Sequence, residues 1–480
     1  MSVDSPSRLD PVVRALSGVA GGPAGRRIAD ARGFWQALPM LCLFAALSLS
    51  LGVVQKAHCH LDGWTSPDHF WHACYSDIPV LYGSAALGTA QRPTVIDAVG
   101  SGGLGQPPLT GAVMWLVSGF VDRTPAATAP VRFFDYSAVV LLVALLVGVV
   151  TVALAAGRRR RWDAAHVALA PVLLTSALIS YDLLALAFVG CALLAWARSR
   201  PVLAGLMLGL AVVSRPVTAM LAVALLGVCL RAGRFRAWAR FAATAGLVWV
   251  VVRVLLFPSP VGALSSTWES WKASTPGYGS IWLVPQLLQQ SRPASARFWY
   301  SGPAFNGTTT TVAALLGLIA VMLATVLLAL STRHRPRVGH VALFAMACSL
   351  LVIKSLPVQA GLLLLPLIAL AGLRWRDHLI WATTELAYFV AVWLYIAASS
   401  DPNRGLPAGF YLVFLLARCA GIAWLAVQAA RGAIDPMRDP VRVPVEHLDT
   451  GDRYLEAPPE DDPAGGPLDG RPDALIVRLS

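Results

Sequence analysis

Charged side chains are scarce in this chain. They make up 13% of its 480 residues, against 56% hydrophobic, where a soluble domain carries roughly a quarter charged. That excludes an ordinary soluble globular protein. Lysine is scarcer still: Lys56, Lys272 and Lys354 are the only three, so the formal charge of +12 rests almost entirely on arginine. Strand-length alternation of apolar and polar residues is missing, which excludes a membrane β-barrel. No tight metal-ligand pair such as HExxH occurs. No small-residue cleavage site follows the first apolar run, so that run reads as a membrane span and not as a removed leader. An internal repeat is not evident either, which argues against the inverted-repeat transporters.

What is present is a series of apolar runs separated by short Arg-rich or Gly/Pro-rich breaks. A helix needs about 20 mostly apolar residues to cross a hydrocarbon core of ~30 Å. The fold class is therefore an all-α polytopic membrane protein. The arginines gather at the ends of the apolar runs, the positive-inside pattern, and not in a patch suited to nucleic acid. With Arg26, Arg27 and Arg32 in the cytosol, alternation also puts inside Arg158 to Arg161, Arg198/Arg200, Arg231/Arg234/Arg236, Arg333/Arg335/Arg337, Arg374/Arg376 and Arg431. The spans this implies are about 34–54, 133–156, 164–180, 181–197, 202–214, 216–230, 238–257, 309–331, 339–353, 358–373, 379–398 and 407–428, about twelve helices with both termini cytosolic. Residues 1–33 form a cytosolic segment, 34–430 the membrane domain, and the Pro-rich, acidic stretch 431–480 is expected to be a disordered cytosolic tail. Long external loops fall at about 55–132 and 258–308. The run Pro107 to Phe120 is short for a span and is expected to lie on the outer surface within the first loop.

This topology places HACYSDIPVLYG, His72 to Gly83, outside and close to the membrane. Cys42, Cys191, Cys229, Cys348 and Cys419 fall in apolar spans, where cysteine is a small hydrophobe. Cys59 and Cys74 share the external loop, where they are either a disulfide, persistent in an oxidising compartment, or two separate thiols. Asp77, Asp182, Arg215 and Lys354 all map to the outer side, and all three lysines fall there against the charge rule. Ionisable groups at membrane depth are costly and usually face the protein interior or a water-filled cavity. Carboxylates suit general-base activation of a hydroxyl, and Arg or Lys suits a phosphate leaving group. The plainer alternatives are helix capping for Asp77 and Asp182 and headgroup snorkelling for Arg215 and Lys354. In the second loop, Trp268, Glu269, Trp271, Lys272, Tyr278 and Trp282 fit either a sugar platform or an interfacial aromatic belt. His58, His60, His69 and His72 stand among acids in the first loop. No metal is expected as part of the site, although two or three of these histidines could meet on a divalent cation.

CYSDIPVLYGSAAL, PPLTGAVMWL, YDLLALAFVGCALLAWARSRPVLAGLMLGLAVVSRP, GYGSIWLVPQ and KSLPVQAGLLLLPLIALA occur in that order along the chain. In this the chain resembles the integral membrane mannosyltransferases of high-GC Gram-positive bacteria that use polyprenyl-phosphate mannose, within the C-type glycosyltransferase (GT-C) superfamily. The resemblance covers about residues 35 to 430. It implies a GT-C-like bundle with surface-lying helices in a large first external loop. It also implies a catalytic base at Asp77, donor-phosphate binding by Arg215 and Lys354, and acceptor or sugar binding by Asp182 and Gln106. The chain departs from the family pattern in GQPPLTG, where Gln106 and Pro107 replace an acidic and an aromatic residue, in Arg215 where lysine is usual, and in the loose SLPVQA.

The expected function is transfer of a hexose, mannose foremost, from a polyprenyl-phosphate donor to a lipid or cell-envelope glycan at the outer face of the plasma membrane. The expected partners are that donor, the acceptor and membrane lipids, without nucleic acid and without a cofactor. The alternatives are a transporter or flippase of lipid-linked substrates and a non-catalytic GT-C relative.

Overall fold

A computed structural model of the chain describes residues 10–19, 36–84, 87–89, 91–100, 104–158, 160–291, 307–442 and 462–477. Arg26, Arg27, Arg32 and Arg159, most of the expected cytosolic segment 1–33, part of the second loop and tail residues 443–461 lie outside the described residues. Among those described, the fold is all-helical. Six helices are long and apolar enough to cross a membrane: Ala37–Gln55, Ala129–Ala155, Phe235–Leu256, Gly307–Ser331, Trp375–Ala397 and Ala408–Ile434. Shorter apolar helices complete the bundle, among them Pro108–Ser118, Asp182–Ala197, Pro201–Ser214 and Val338–Val352. The protein is a polytopic membrane protein.

The centre is the helix Asp182–Ala197, buried along most of its length. It packs between Ala129–Ala155 and Pro201–Ser214. Between membrane helices the driving force is close packing, and small residues allow it. Gly205 and Gly209, four residues apart on Pro201–Ser214, face Phe235–Leu256, where an added Cβ would collide with the Phe241 carbonyl and with Val248. The stretch 164–180, expected as one span, is broken instead into Ala165–Ala168 and Pro171–Ser176. Pro171 explains the break, since it has no N–H to donate and its ring clashes with the preceding turn. The stretch 358–373 likewise begins as a tight 3-10 turn, Val358–Leu364, before the α-helix Leu365–Ala371 with Pro366 in its first turn.

Between the first two long helices lie Ala57–Asp62, Asp68–Trp71, Asp77–Ser84 and Pro108–Ser118. Pro108–Ser118 buries Thr110, Gly111, Met114 and Val117. Its 11 residues span only about 16 Å.

The tail corrects an expectation. Part of it is held against the end of the bundle that carries Arg231 and Arg337. Asp439 takes a bidentate bond from the buried Arg337 guanidinium at 2.6 and 2.8 Å, and Asp462 accepts from the Val338 amide at 2.8 Å. Asp473 pairs with the buried Arg231 at 2.8 and 3.0 Å, and the Ala474 amide donates to the Arg231 carbonyl. Acidic composition pointed to disorder, but these aspartates supply the partners that two buried arginines need.

Candidate active site

The segment Tyr75-Ser76-Asp77 is fastened to the turn just ahead of Asp182. The Asp77 amide donates to the Ile179 carbonyl at 2.8 Å, and the Ser76 hydroxyl donates to the Leu178 carbonyl at 2.7 Å. Two acidic residues about a hundred positions apart in sequence thereby share one end of the bundle. Upstream, Cys59 and Cys74 form a disulfide with Cα atoms 5.8 Å apart. It closes the loop three residues before Asp77.

Arg215 reaches the same place because Pro216 follows it. A residue before proline is driven out of the α region; Arg215 is extended at φ −149°, ψ 104°, and ends the helix Pro201–Ser214. Its Nη2 donates to Asp182 Oδ2 at 2.6 Å and to the Ser180 hydroxyl at 3.1 Å. Asp182 is 1% exposed and Arg215 19%. Asp182 opens its helix, but Tyr181 is the capping residue, so the Asp182 carboxylate serves the arginine and not the helix end. The Thr110 hydroxyl donates to the Ser214 carbonyl at 3.4 Å, joining the Pro108–Ser118 helix to this corner.

Asp77 is half-buried at the first position of Asp77–Ser84. Its Oδ1 accepts from the Tyr75 hydroxyl at 2.8 Å. The Tyr75 ring is held by Phe70 and Trp393, with ring centres 5.3 and 4.9 Å away, so the hydroxyl has little freedom to leave the carboxylate. Burial raises the Asp77 carboxyl pKa above the usual range, against the Tyr75 hydrogen bond and the positive charge of Arg215, while Asp182 raises it further and Lys56 lowers it. Lys56 ends the first long helix, fully buried, with its ammonium on the Tyr75 carbonyl at 2.9 Å. Desolvation pushes Lys56 down to about 7 although Asp77 pulls the other way. The result is a partly buried carboxylate with raised proton affinity, the direction that suits a general base.

Lys354 is not brought to this cluster. Its ammonium donates to the carbonyls of Trp271, Ser274 and Gly307 and to the Thr311 hydroxyl, at 2.6 to 3.2 Å. An ammonium has three protons, and these four oxygens occupy them. Lys354 fastens the second loop to the helix that follows it. Gln106 stands two residues ahead of the Pro108–Ser118 helix, with a buried Oε1 that has no hydrogen-bond partner. Asp182 Oδ1 and Arg215 Nε are buried without partners as well. Native proteins rarely leave buried polar atoms unpaired, and a bound ligand is one way to satisfy them.

Residues 107–356 match the sequence model of glycosyltransferase family 87. The chain belongs to that family. The match spans a little over half of the 480 residues and contains Asp182, Arg215 and Lys354, while Asp77 and Gln106 precede it. No curated protein and no solved structure matches the chain. A glycosyltransferase needs a sugar donor and an acceptor, and family membership favours the enzyme over the transporter reading.

Two residues of this glycosyltransferase's polar corner escaped sequence reasoning. Tyr75 stands beside Asp77 in CYSDIP, yet nothing in the string says that its hydroxyl turns back on the carboxylate. Lys56 did leave a signal, as one of the three lysines that the arginine pattern assigns to the expected outer side.

Proposed function

We propose that this family 87 glycosyltransferase moves mannose from polyprenyl-phosphate mannose to a hydroxyl of a lipid or cell-envelope glycan, at the outer face of the plasma membrane. The observation that carries the reading is Asp77, held by Tyr75 beside the Asp182–Arg215 pair. In this scheme Asp77 removes the acceptor proton as the new bond to the sugar carbon forms. The bond from that carbon to the phosphate oxygen breaks, and polyprenyl phosphate leaves with the electron pair.

Arg215 is the cation we assign to the departing phosphate, since its Nε has no protein partner and a guanidinium offers five donors. Asp182 holds that guanidinium in place. Gln106 and Asp182, each with an unpaired oxygen, are assigned to the acceptor or sugar hydroxyls. Lys56 and Tyr75 favour the ionised form of Asp77 against its burial. No cofactor enters this scheme.

The test is transfer of radiolabelled mannose from polyprenyl-phosphate mannose into lipid by membranes carrying the chain or its Asp77→Asn variant, with polyprenyl-phosphate glucose run in parallel. Label moved only by the unaltered chain supports the reading. Equal transfer by both removes Asp77 from the role. Transfer from the glucose donor alone changes the sugar, and no transfer from either donor, with both proteins inserted, favours a non-catalytic relative.

A further inference from the structure

Two short helices of the first loop each carry a pair of potential ligands one turn apart. Ala57–Asp62 carries His58 and Asp62, and Asp68–Trp71 with its capping residue carries Asp68 and His72. The fold turns the two pairs toward one another. His58 Nε2 lies 2.7 Å from Asp68 Oδ2, and His72 Nδ1 lies 3.2 Å from Asp68 Oδ1. The two imidazole rings stand 3.6 Å apart, centre to centre. One donor atom from each of His58, Asp68 and His72 falls within 4.8 Å of the others.

We propose that His58, Asp68 and His72 form a divalent metal site, with zinc the best-matched ion. The ligand set is two imidazoles and one carboxylate, which suits a borderline ion better than magnesium or calcium with their all-oxygen shells. Three protein ligands leave one tetrahedral position for water. Asp62 adds a specific sign. Its Oδ2 lies 3.2 Å from His58 Nδ1, so with an ion on Nε2 that carboxylate would accept the Nδ1 proton. Metal-bound histidines are oriented this way by an outer carboxylate.

The site is open to an entering ion, with the three ligand side chains between 34% and 46% exposed. Its framework is pre-assembled, because Cys59 adjoins His58 and Cys74 follows His72 by two residues, and the disulfide fixes one to the other. The ion would clamp together the two helices ahead of the loop that carries Asp77.

The test uses the full-length chain in nanodiscs, any affinity tag removed, under non-reducing conditions, with zinc chloride alone as the probe. Metal content after desalting should be one zinc per chain. It should fall below a tenth of that in His58→Gln and His72→Gln and stay at one in His60→Gln, whose imidazole pairs with Asp135 instead. Zinc should raise the melting temperature of the unaltered chain and leave those of the two His58 and His72 variants where EDTA puts them. Should a ligand variant fail to fold, Asp62→Asn carries the test with an expected affinity loss of about 10- to 100-fold. No retained zinc, or retention indifferent to His58 and His72, overturns the proposal.

Discussion

Replacing Tyr75 by Phe removes one hydroxyl and keeps the ring that packs on Phe70 and Trp393. The hydroxyl donates to Asp77 Oδ1 at 2.8 Å, and a hydrogen bond to a charged group contributes about 1.5–3 kcal/mol. At 1.36 kcal/mol for each pKa unit, losing it raises the Asp77 pKa by about one to two units. The sign follows from the role. A general base works when deprotonated, the bond favours the deprotonated form, and so the variant loses activity at a higher pH as pH falls. Burial has already raised the Asp77 carboxyl above its ordinary value, and the variant starts from there. The assay is kcat/KM for mannose transfer between pH 4.5 and 8.5 in nanodiscs. The expected result is an acid limb moved up by about one to two pH units, with activity above that limb largely kept. An unmoved acid limb, or a loss of equal size at every pH, refutes the base assignment and its link to Tyr75.

Cys59→Ser opens a 15-residue loop and should cost about 3 kcal/mol; the melting temperature should fall, and reductant should move the unaltered chain the same way. Arg215→Met strands the buried Asp182 carboxylate and should cost about 3–5 kcal/mol. Adding Asp182→Leu should restore the melting temperature without restoring transfer, whereas recovered transfer would make the pair merely structural. Ending the chain at residue 461 removes Asp462 and Asp473 and leaves Arg231 without its carboxylate. A lower melting temperature with the acid limb of transfer unmoved is expected; an unchanged melting temperature would mean that the tail contributes nothing to stability.

The extent of most of the long helices was legible because many apolar runs carry their own stop signal, arginine at one end and proline or glycine at the other, as around Ala129–Ala155 and Ala408–Ile434. Pro216 shows how local that information is, setting both the end of its helix and the extended backbone of Arg215. The failures share the opposite property. The Tyr75 hydroxyl, the Lys56 burial and the docking of Asp473 on Arg231 all depend on partners brought by tertiary packing. Hydrophobic periodicity constrains which face of a helix is buried and says nothing of which polar group waits there. The tail misled for the same reason, since low hydrophobicity measures what a segment cannot bury by itself and not what a neighbouring arginine can hold.

Lys354 shows how a cation can be placed by function-like signals and yet serve the frame. It lies two residues past the helix Val338–Val352, just after the capping Ile353, and a charge there invites assignment to a phosphate. The surrounding chain takes it up instead. The Gly277 amide donates to the Lys354 carbonyl, and the Leu356 amide donates to the Tyr278 carbonyl, so the two segments run side by side. Gly279 adopts φ +79° and lies so close to the Leu356 carbonyl that a Cβ would collide with it, which is why GYG has no side chain at its second glycine. On the far side, the buried Arg418 donates to the carbonyls of Leu356 and Pro357 at 2.7 and 2.9 Å while paired with Glu385 at 2.9 Å. Buried irregular backbone must have its polar groups met by protein or water; Arg418 meets those of this crossing, and Lys354 those of the second loop beside it. A positive charge in such a protein is therefore assigned by counting the oxygens already around it. By that count Lys354 is satisfied, and Arg215, with its Nε unpaired, is the one of the two with capacity left for a ligand.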